Sequence, residues 1–122
     1  MKVLFVCSGN ICRSPMAEVI FKNLCEKNKR YDIEVASAGT WAETGSDMTF
    51  EAREALVKCG EKMSKLNHCA TQFRPEMGDE YDHIIDLRTF QDPYGRGLDA
   101  YVETCKRLQD YCQTLYNKIC TK

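Results

Sequence analysis

Cys7-Ser8-Gly9-Asn10-Ile11-Cys12-Arg13-Ser14-Pro15 holds the residue types and spacing that can do chemistry in this chain. A thiol and a guanidinium are separated by five residues, among them a glycine and an asparagine suited to a tight turn. Placed between a strand end and a helix N-terminus, such a turn aims the backbone N–H groups of Ser8, Gly9, Asn10, Ile11, Cys12, Arg13 and Ser14 at one point. The helix dipole adds positive potential there, which makes a cradle of phosphate size. Arg13 offers a planar fork matched to two phosphate oxygens. Gly9 allows a positive φ or a close backbone approach. In that field Cys7 is favoured as a thiolate, a nucleophile aimed at phosphorus. The Ser14 hydroxyl can hydrogen-bond the thiolate and ease its later departure. Cys-x5-Arg alone arises by chance and also fits a tight turn with a buried cysteine and a surface arginine. With Ser next and Gly inside, close to the N-terminus, the pattern points much more specifically to phosphate chemistry.

A second group is Asp92-Pro93-Tyr94-Gly95. It is a good β-turn sequence, and Asp opens turns for purely local reasons. On composition alone the turn is the favoured reading of Asp92. Tyr94 and Trp41, the single tryptophan, either wall a pocket and stack on a substrate ring or pack as ordinary hydrophobic side chains.

The elements that must position these residues follow from pattern. Lys2–Cys7 opens on Val-Leu-Phe-Val, a buried strand. Pro15 suits the first turn of a helix that runs to about Lys27 with Met16, Ala17, Ile20, Phe21 and Leu24 inward. Asp32–Ser37 reads as a second strand and Ala38–Thr49 as a loop. Thr49 caps a helix with Ala52, Ala55, Leu56 and Cys59 inward, and Gly60 ends it. Asn67–Glu80 is mostly irregular, with room for one helical turn. Asp82–Leu87 is a third strand, Thr89–Leu98 a loop. From about Asp99, Tyr101, Cys105, Leu108, Cys112, Leu115 and Ile119 recur at helical spacing, a long amphipathic helix. Strands alternating with helices predict an α/β fold with a parallel sheet, whose sites lie at the carboxyl ends of the strands.

Composition narrows the classes. The 122 residues make one domain, 1–122. Lys+Arg 17 against Asp+Glu 18 argues against nucleic acid as partner. The run Val3–Val6 is too short for an export signal or a membrane span, so a cytoplasmic protein without membrane attachment is expected. The eight cysteines then read as reduced. Cys25, Cys59, Cys105, Cys112 and Cys120 fall in helical segments and serve as small buried hydrophobes. No Cys-x2-Cys pair occurs, and His68 and His83 lack ligand-like neighbours, so no metal or other cofactor is expected.

Val6-Cys7-Ser8-Gly9-Asn10-Ile11-Cys12-Arg13-Ser14-Pro15-Met16-Ala17-Glu18 resembles the phosphate loop of the low-molecular-weight protein tyrosine phosphatases. Ser37-Ala38-Gly39-Thr40, Asn67–Phe73, Tyr81–Asp86 and Asp92-Pro93-Tyr94-Gly95 resemble further segments of that family, so the likeness spans nearly the whole chain. It implies a small three-layer α/β/α domain with strand order 2-1-3, or 2-1-3-4 with a fourth strand. It implies hydrolysis of phosphotyrosine proteins or small aryl phosphates through a cysteinyl-phosphate. Cys7 would be nucleophile, Arg13 the oxyanion clamp and Asp92 the general acid, then base. Asn10 would brace the loop with Ser37 as partner. Cys12 would form a reversible disulfide with Cys7, unless it is simply a small residue packed under the loop.

The chain departs from the family at one place. A helix and an edge strand usually lie between the third strand and the acid loop, and here only Arg88-Thr89-Phe90-Gln91 stands there. The bared edge suggests a homodimer as cover. An arsenate reductase of similar fold would need two more cysteines after the third strand, and none lies between Cys69 and Cys105. A phosphate- or phosphotyrosine-binding regulatory module is the rival from another class, although a pure binder needs neither nucleophile nor acid.

Overall fold

A computed structural model describes residues 1–63 and 68–120; Asn67 of the family-like segment lies outside them. The order is β1 (Lys2–Cys7), α1 (Arg13–Lys27), β2 (Glu34–Gly39), α2 (Phe50–Lys58), α3 (Met77–Glu80), β3 (His83–Asp86) and α4 (Leu98–Ile119). The three strands form one parallel sheet in the order β2-β1-β3. No fourth strand flanks β3 among the described residues, because the chain turns from Leu87 straight into the acid loop.

β1 is buried along nearly its whole length because helices and loops cover both faces. Val3, Phe5 and Cys7 face the larger core with α1, α2 and α4, where the Phe5 ring meets Phe21 edge-on at 5.6 Å. Leu4 and Val6 face a smaller cluster closed by Ala38, Met77, Phe73 and Tyr81. The second layer is thus α3 and its irregular neighbours. α1 is buried over ten of its fifteen residues, wedged between sheet and α4. The inward row of α4 is the expected one, Tyr101, Cys105, Leu108, Cys112 and Leu115 buried and Ile119 partly so.

Local signals explain the boundaries. Thr49 caps α2 by accepting from Ala52 N–H at 3.2 Å. Gly60, at φ +83°, closes it: its N–H reaches Val57 O and the Glu61 N–H reaches Leu56 O, the paired bonds of a left-handed helix end. β2 runs two residues later than the sequence suggests. Ala38 and Gly39 are poor strand formers, yet pairing with β1 from Lys2↔Glu34 to Cys7↔Gly39 carries the strand to the site. All eight cysteines are free, and the five in or ending helices pack as apolar groups. On the free edge, Ile84 is 39% exposed.

Candidate active site

The phosphate-loop sequence sits where β1 ends and α1 begins. α1 opens with no acidic residue in its first turn, so its dipole field is uncompensated there. Among the described residues, the amides of Ser8 to Cys12 donate to no protein acceptor, and they are available to an anion. The positive φ that Gly9 would allow is found instead at Asn10, at +58°. A Cβ on Gly9 would meet only Ile11 Cγ1 at 3.6 Å, an ordinary contact. Asn10 tolerates the left-handed conformation because its side chain is fully engaged there.

That engagement braces the loop. Asn10 Nδ2 donates to Ser14 Oγ at 2.8 Å and to Ser37 Oγ at 2.9 Å. Its Oδ1 accepts from the Thr71 N–H at 2.9 Å, and its backbone carbonyl lies 2.6 Å from His68 Nε2. Ser37 passes its own proton to Glu18 Oε1 at 2.6 Å. Ser14 Oγ lies 2.9 Å from Cys7 Sγ, and the Ser14 N–H lies 3.4 Å from the same sulfur. Ser14 Oγ accepts from Asn10, and its single proton has two acceptors in reach, the sulfur at 2.9 Å and the more distant Ala38 O at 3.4 Å. Sequence reasoning missed Glu18, His68 and Thr71. His68 and Thr71 lie in the family-like segment Asn67–Phe73, but their part in bracing the loop appears only when residues far apart in sequence fold together.

Gly39 is the close-approach glycine. A Cβ there would stand 2.5 Å from Ser8 O and 3.0 Å from both Asn10 N and Cβ. Backbone bonds tie the neighbouring turn to the loop, Thr40 N–H to Cys7 O and Trp41 N–H to Ser8 O.

Arg13 is buried beneath the loop. Its Nη1 donates to Phe90 O at 2.8 Å and Arg88 O at 3.4 Å, while Nη2 lies 3.5 Å from Ser8 Oγ and 3.6 Å from Asp92 Oδ2. Nε is buried with no partner. One edge of the guanidinium is therefore held by the protein, and the Nε edge waits for an acceptor.

Cys7, Gly9, Ile11, Cys12, Arg13, Asp92 and Tyr94 line a cleft of about 200 Å³ at this point. Asp92 reaches it despite the shortened connection; its carboxyl is half exposed and accepts the Tyr94 N–H at 3.1 Å. Tyr94 stands at the mouth, 63% exposed. Trp41 is not brought into the cleft: β2 runs on to Gly39, which leaves Trp41 past the loop with 87% exposure. Cys12 Sγ lies 3.2 Å from Tyr101 Oη and 3.8 Å from Thr49 Oγ1. Burial pushes the Cys12 thiol up from its ordinary range despite those bonds. Among the described residues no group of histidines, cysteines and carboxylates could hold a metal ion, and no helix is long and apolar enough to cross a membrane.

A family model described as low molecular weight phosphotyrosine protein phosphatase matches residues 2–91. The chain belongs to this family. Protein-arginine-phosphatase of Bacillus subtilis (strain 168) is 29% identical, covering 98% of this chain and 97% of that protein. That alignment runs over 149 positions, more than the 122 residues here, so the relative has residues without counterpart. Low molecular weight phosphotyrosine protein phosphatase 1 of Drosophila melanogaster is 40% identical over 88 residues, 70% of this chain but 54% of its own length. The chain thus spans about half of several curated relatives that it matches. A low molecular weight protein tyrosine phosphatase from T. tengcongensis has the same fold, with TM-score 0.88, 31% identity and 98% and 99% of the two chains covered. YwlE arginine phosphatase, as a C7S mutant with a phosphorylated active site serine, also superposes with TM-score 0.88 at 25% identity, covering 100% and 97%. The family match stops one residue before Asp92, so the acid loop rests on its geometry.

Proposed function

We propose that this protein hydrolyses aryl phosphates of the phosphotyrosine kind through a cysteinyl-phosphate. The observation that carries the reading is the unpartnered, buried Arg13 Nε, set beside free loop amides and Cys7 in one cleft. A buried orphan donor costs roughly 1–3 kcal/mol, which a bound phosphate oxygen would remove.

The Cys7 thiolate attacks phosphorus in line, forming an S–P bond as the P–O bond to the phenolate breaks. Arg13 and the loop amides hold the equatorial oxygens, where preorganised donors act most strongly on the transition state. Asp92 passes its proton to the leaving oxygen. Water then attacks the phosphocysteine, Asp92 takes a proton from it, and the Cys7 thiolate leaves with the Ser14 hydroxyl stabilising its charge. Phosphate departs and Asp92 is again protonated. The YwlE mutant with a phosphorylated active site serine supports a covalent step of this kind.

Ile11 and Tyr94 give the cleft apolar walls that suit an aryl ring. The Asp92 carboxylate at the mouth would also suit a phosphorylated guanidinium, and two relatives are named for that activity. The test is turnover of phosphotyrosine, phosphoarginine and p-nitrophenyl phosphate from pH 4 to 9 under reducing conditions. The expected result is a bell-shaped profile on the aryl substrates, abolished in Cys7→Ser and depressed in Asp92→Asn. Preferential turnover of phosphoarginine would replace the aryl assignment. Phosphate binding by a folded protein that turns over no substrate would make it a binding module.

A further inference from the structure

Asp92 does little to hold itself in place. Its carboxyl is 52% exposed, its contact with Arg13 is a long 3.6 Å, and its one hydrogen bond stays within the loop. An ion pair of that length and exposure contributes little to fixing a loop. Behind the loop lies a cleft of about 440 Å³ lined by Phe90, Gln91, Pro93, Arg96 and the first turns of α4, so the loop is not packed solidly onto the helix.

Two neighbours of Asp92 are anchored. Pro93 is fully buried. Phe90 is anchored three ways. Its N–H closes a turn on Leu87 O at 3.0 Å, directly after β3. Its ring meets Tyr111 of α4 edge-on, with centroids 5.4 Å apart and planes at 84°. Its carbonyl accepts from Arg13 Nη1 at 2.8 Å. One residue thus ties the sheet edge, the long helix and the phosphate-binding guanidinium together, two positions before the acid.

We propose that Phe90, seated on Tyr111, is the positioning residue for Asp92: in this shortened chain it replaces, with one ring contact, the support that a longer connection would supply. The inference rests on the aryl phosphatase reading. Removing the ring takes away the side-chain anchor and loosens Gln91 and Asp92 over the open cleft, while the Arg88 and Phe90 carbonyls stay on Arg13. Asp92 then loses its place over the leaving oxygen, while the phosphate loop keeps its braces from Ser14, Ser37, His68 and Thr71.

The test reads proton delivery separately from phosphate binding. p-Nitrophenolate leaves without help, whereas phenolate needs the acid. Phe90→Ala is expected to lose about tenfold more turnover on phenyl phosphate than on p-nitrophenyl phosphate, part of the 10²–10⁴-fold range of general acid catalysis. Competitive inhibition by inorganic phosphate should stay near wild type. Tyr111→Ala should copy the effect and Tyr111→Phe should retain the wild-type ratio. Combining Phe90→Ala with Asp92→Asn should add no further loss on phenyl phosphate. Where Phe90→Ala fails to fold, Phe90→Leu and Tyr111→Ala carry the same readout. Equal losses on both substrates, or an unchanged ratio in the folded variants, overturn the positioning role and leave the phosphatase reading standing. A folded wild type that hydrolyses neither substrate overturns both.

Discussion

Gly39→Ala is the sharpest perturbation the structure offers, because it tests the phosphate loop without touching a reacting group. The added methyl would stand 2.5 Å from Ser8 O, where an ordinary contact begins at 3.4 Å, so the two must part by nearly 1 Å. Neither side yields easily. Gly39 donates to Thr71 O at 2.9 Å and accepts from the Phe73 N–H at 2.7 Å, and β2 pairing holds it opposite Cys7. On the other side Ser8 O is bound by the Trp41 N–H. Overpacking of this kind costs about 1–3 kcal/mol, a fall of roughly 3–15 °C in Tm for a domain this size. The larger effect is on activity: a displacement near 1 Å in a catalytic constellation costs about 10²-fold. Turnover of p-nitrophenyl phosphate and inhibition by inorganic phosphate, measured at 20 °C on protein with native far-UV circular dichroism, check this. Both constants within twofold of wild type would refute the claim that β2 fixes the loop. Gly9→Ala serves as a stability comparison, since its methyl makes only an ordinary 3.6 Å contact with Ile11 and Tm should barely move.

Other outcomes follow from the same contacts. Ser14→Ala removes the hydroxyl 2.9 Å from Cys7 Sγ. A hydrogen bond to a charged group contributes about 1.5–3 kcal/mol, so turnover should fall roughly 10–150-fold in steady-state kinetics. Gly60→Ala puts a side chain at φ +83° and should lower Tm by roughly 3–10 °C, from a cost of about 1–2 kcal/mol, with phosphate inhibition unchanged. Burial raises the Cys12, Cys105 and Cys112 thiols and pushes Cys25 up to about 12 from the ordinary 9.0. The folded chain keeps these protons where the unfolded chain releases them. Their contribution to stability is therefore complete below pH 9 and is lost as pH rises toward 12. Thermal melts from pH 8 to 11 under reducing conditions should decline above pH 9, and less steeply in Cys25→Ala.

The parts of this protein legible in its sequence are those where one local signal suffices. Thr49 and Gly60 bracket α2 through capping chemistry that acts within four residues. The apolar row from Tyr101 to Leu115 lays α4 on the core because periodicity alone decides its face. The loop from Cys7 to Ser14 is equally local. What was hidden depends on distant partners. Strand pairing, not propensity, extends β2 through Ala38 and Gly39. The left-handed residue is Asn10 rather than Gly9, because a side chain satisfied by Ser14, Ser37 and Thr71 outweighs glycine's conformational freedom. Glu18 and His68 lie in family-like segments that assign them no role, Phe90 lies in none, and all three gain their places only when β2, the segment after α2 and the turn after β3 converge on one loop.

The connection after β3 is short, and it falls in the chain where shortening costs the phosphate loop least. Every hydrogen bond bracing Asn10 and Ser14 comes from β1, β2, α1 or residues 68–71, all before β3. Among the described residues, Asp92, Tyr94, the two carbonyls holding Arg13 and the Tyr101 hydroxyl against Cys12 come from beyond it. The short connection therefore separates the two halves of the proposed chemistry. On the proposed mechanism the loop amides and Cys7 keep their frame, Arg13 takes two carbonyl partners from the connection, and proton delivery depends on it wholly. Shortening of this kind should weigh on slow leaving groups and spare fast ones. The ratio of phenyl phosphate to p-nitrophenyl phosphate turnover, compared with that of a full-length family member under the same conditions, measures that weight. A ratio in this chain equal to that of the longer relative would mean that Phe90 and Pro93 anchor the acid as firmly as the missing strand does.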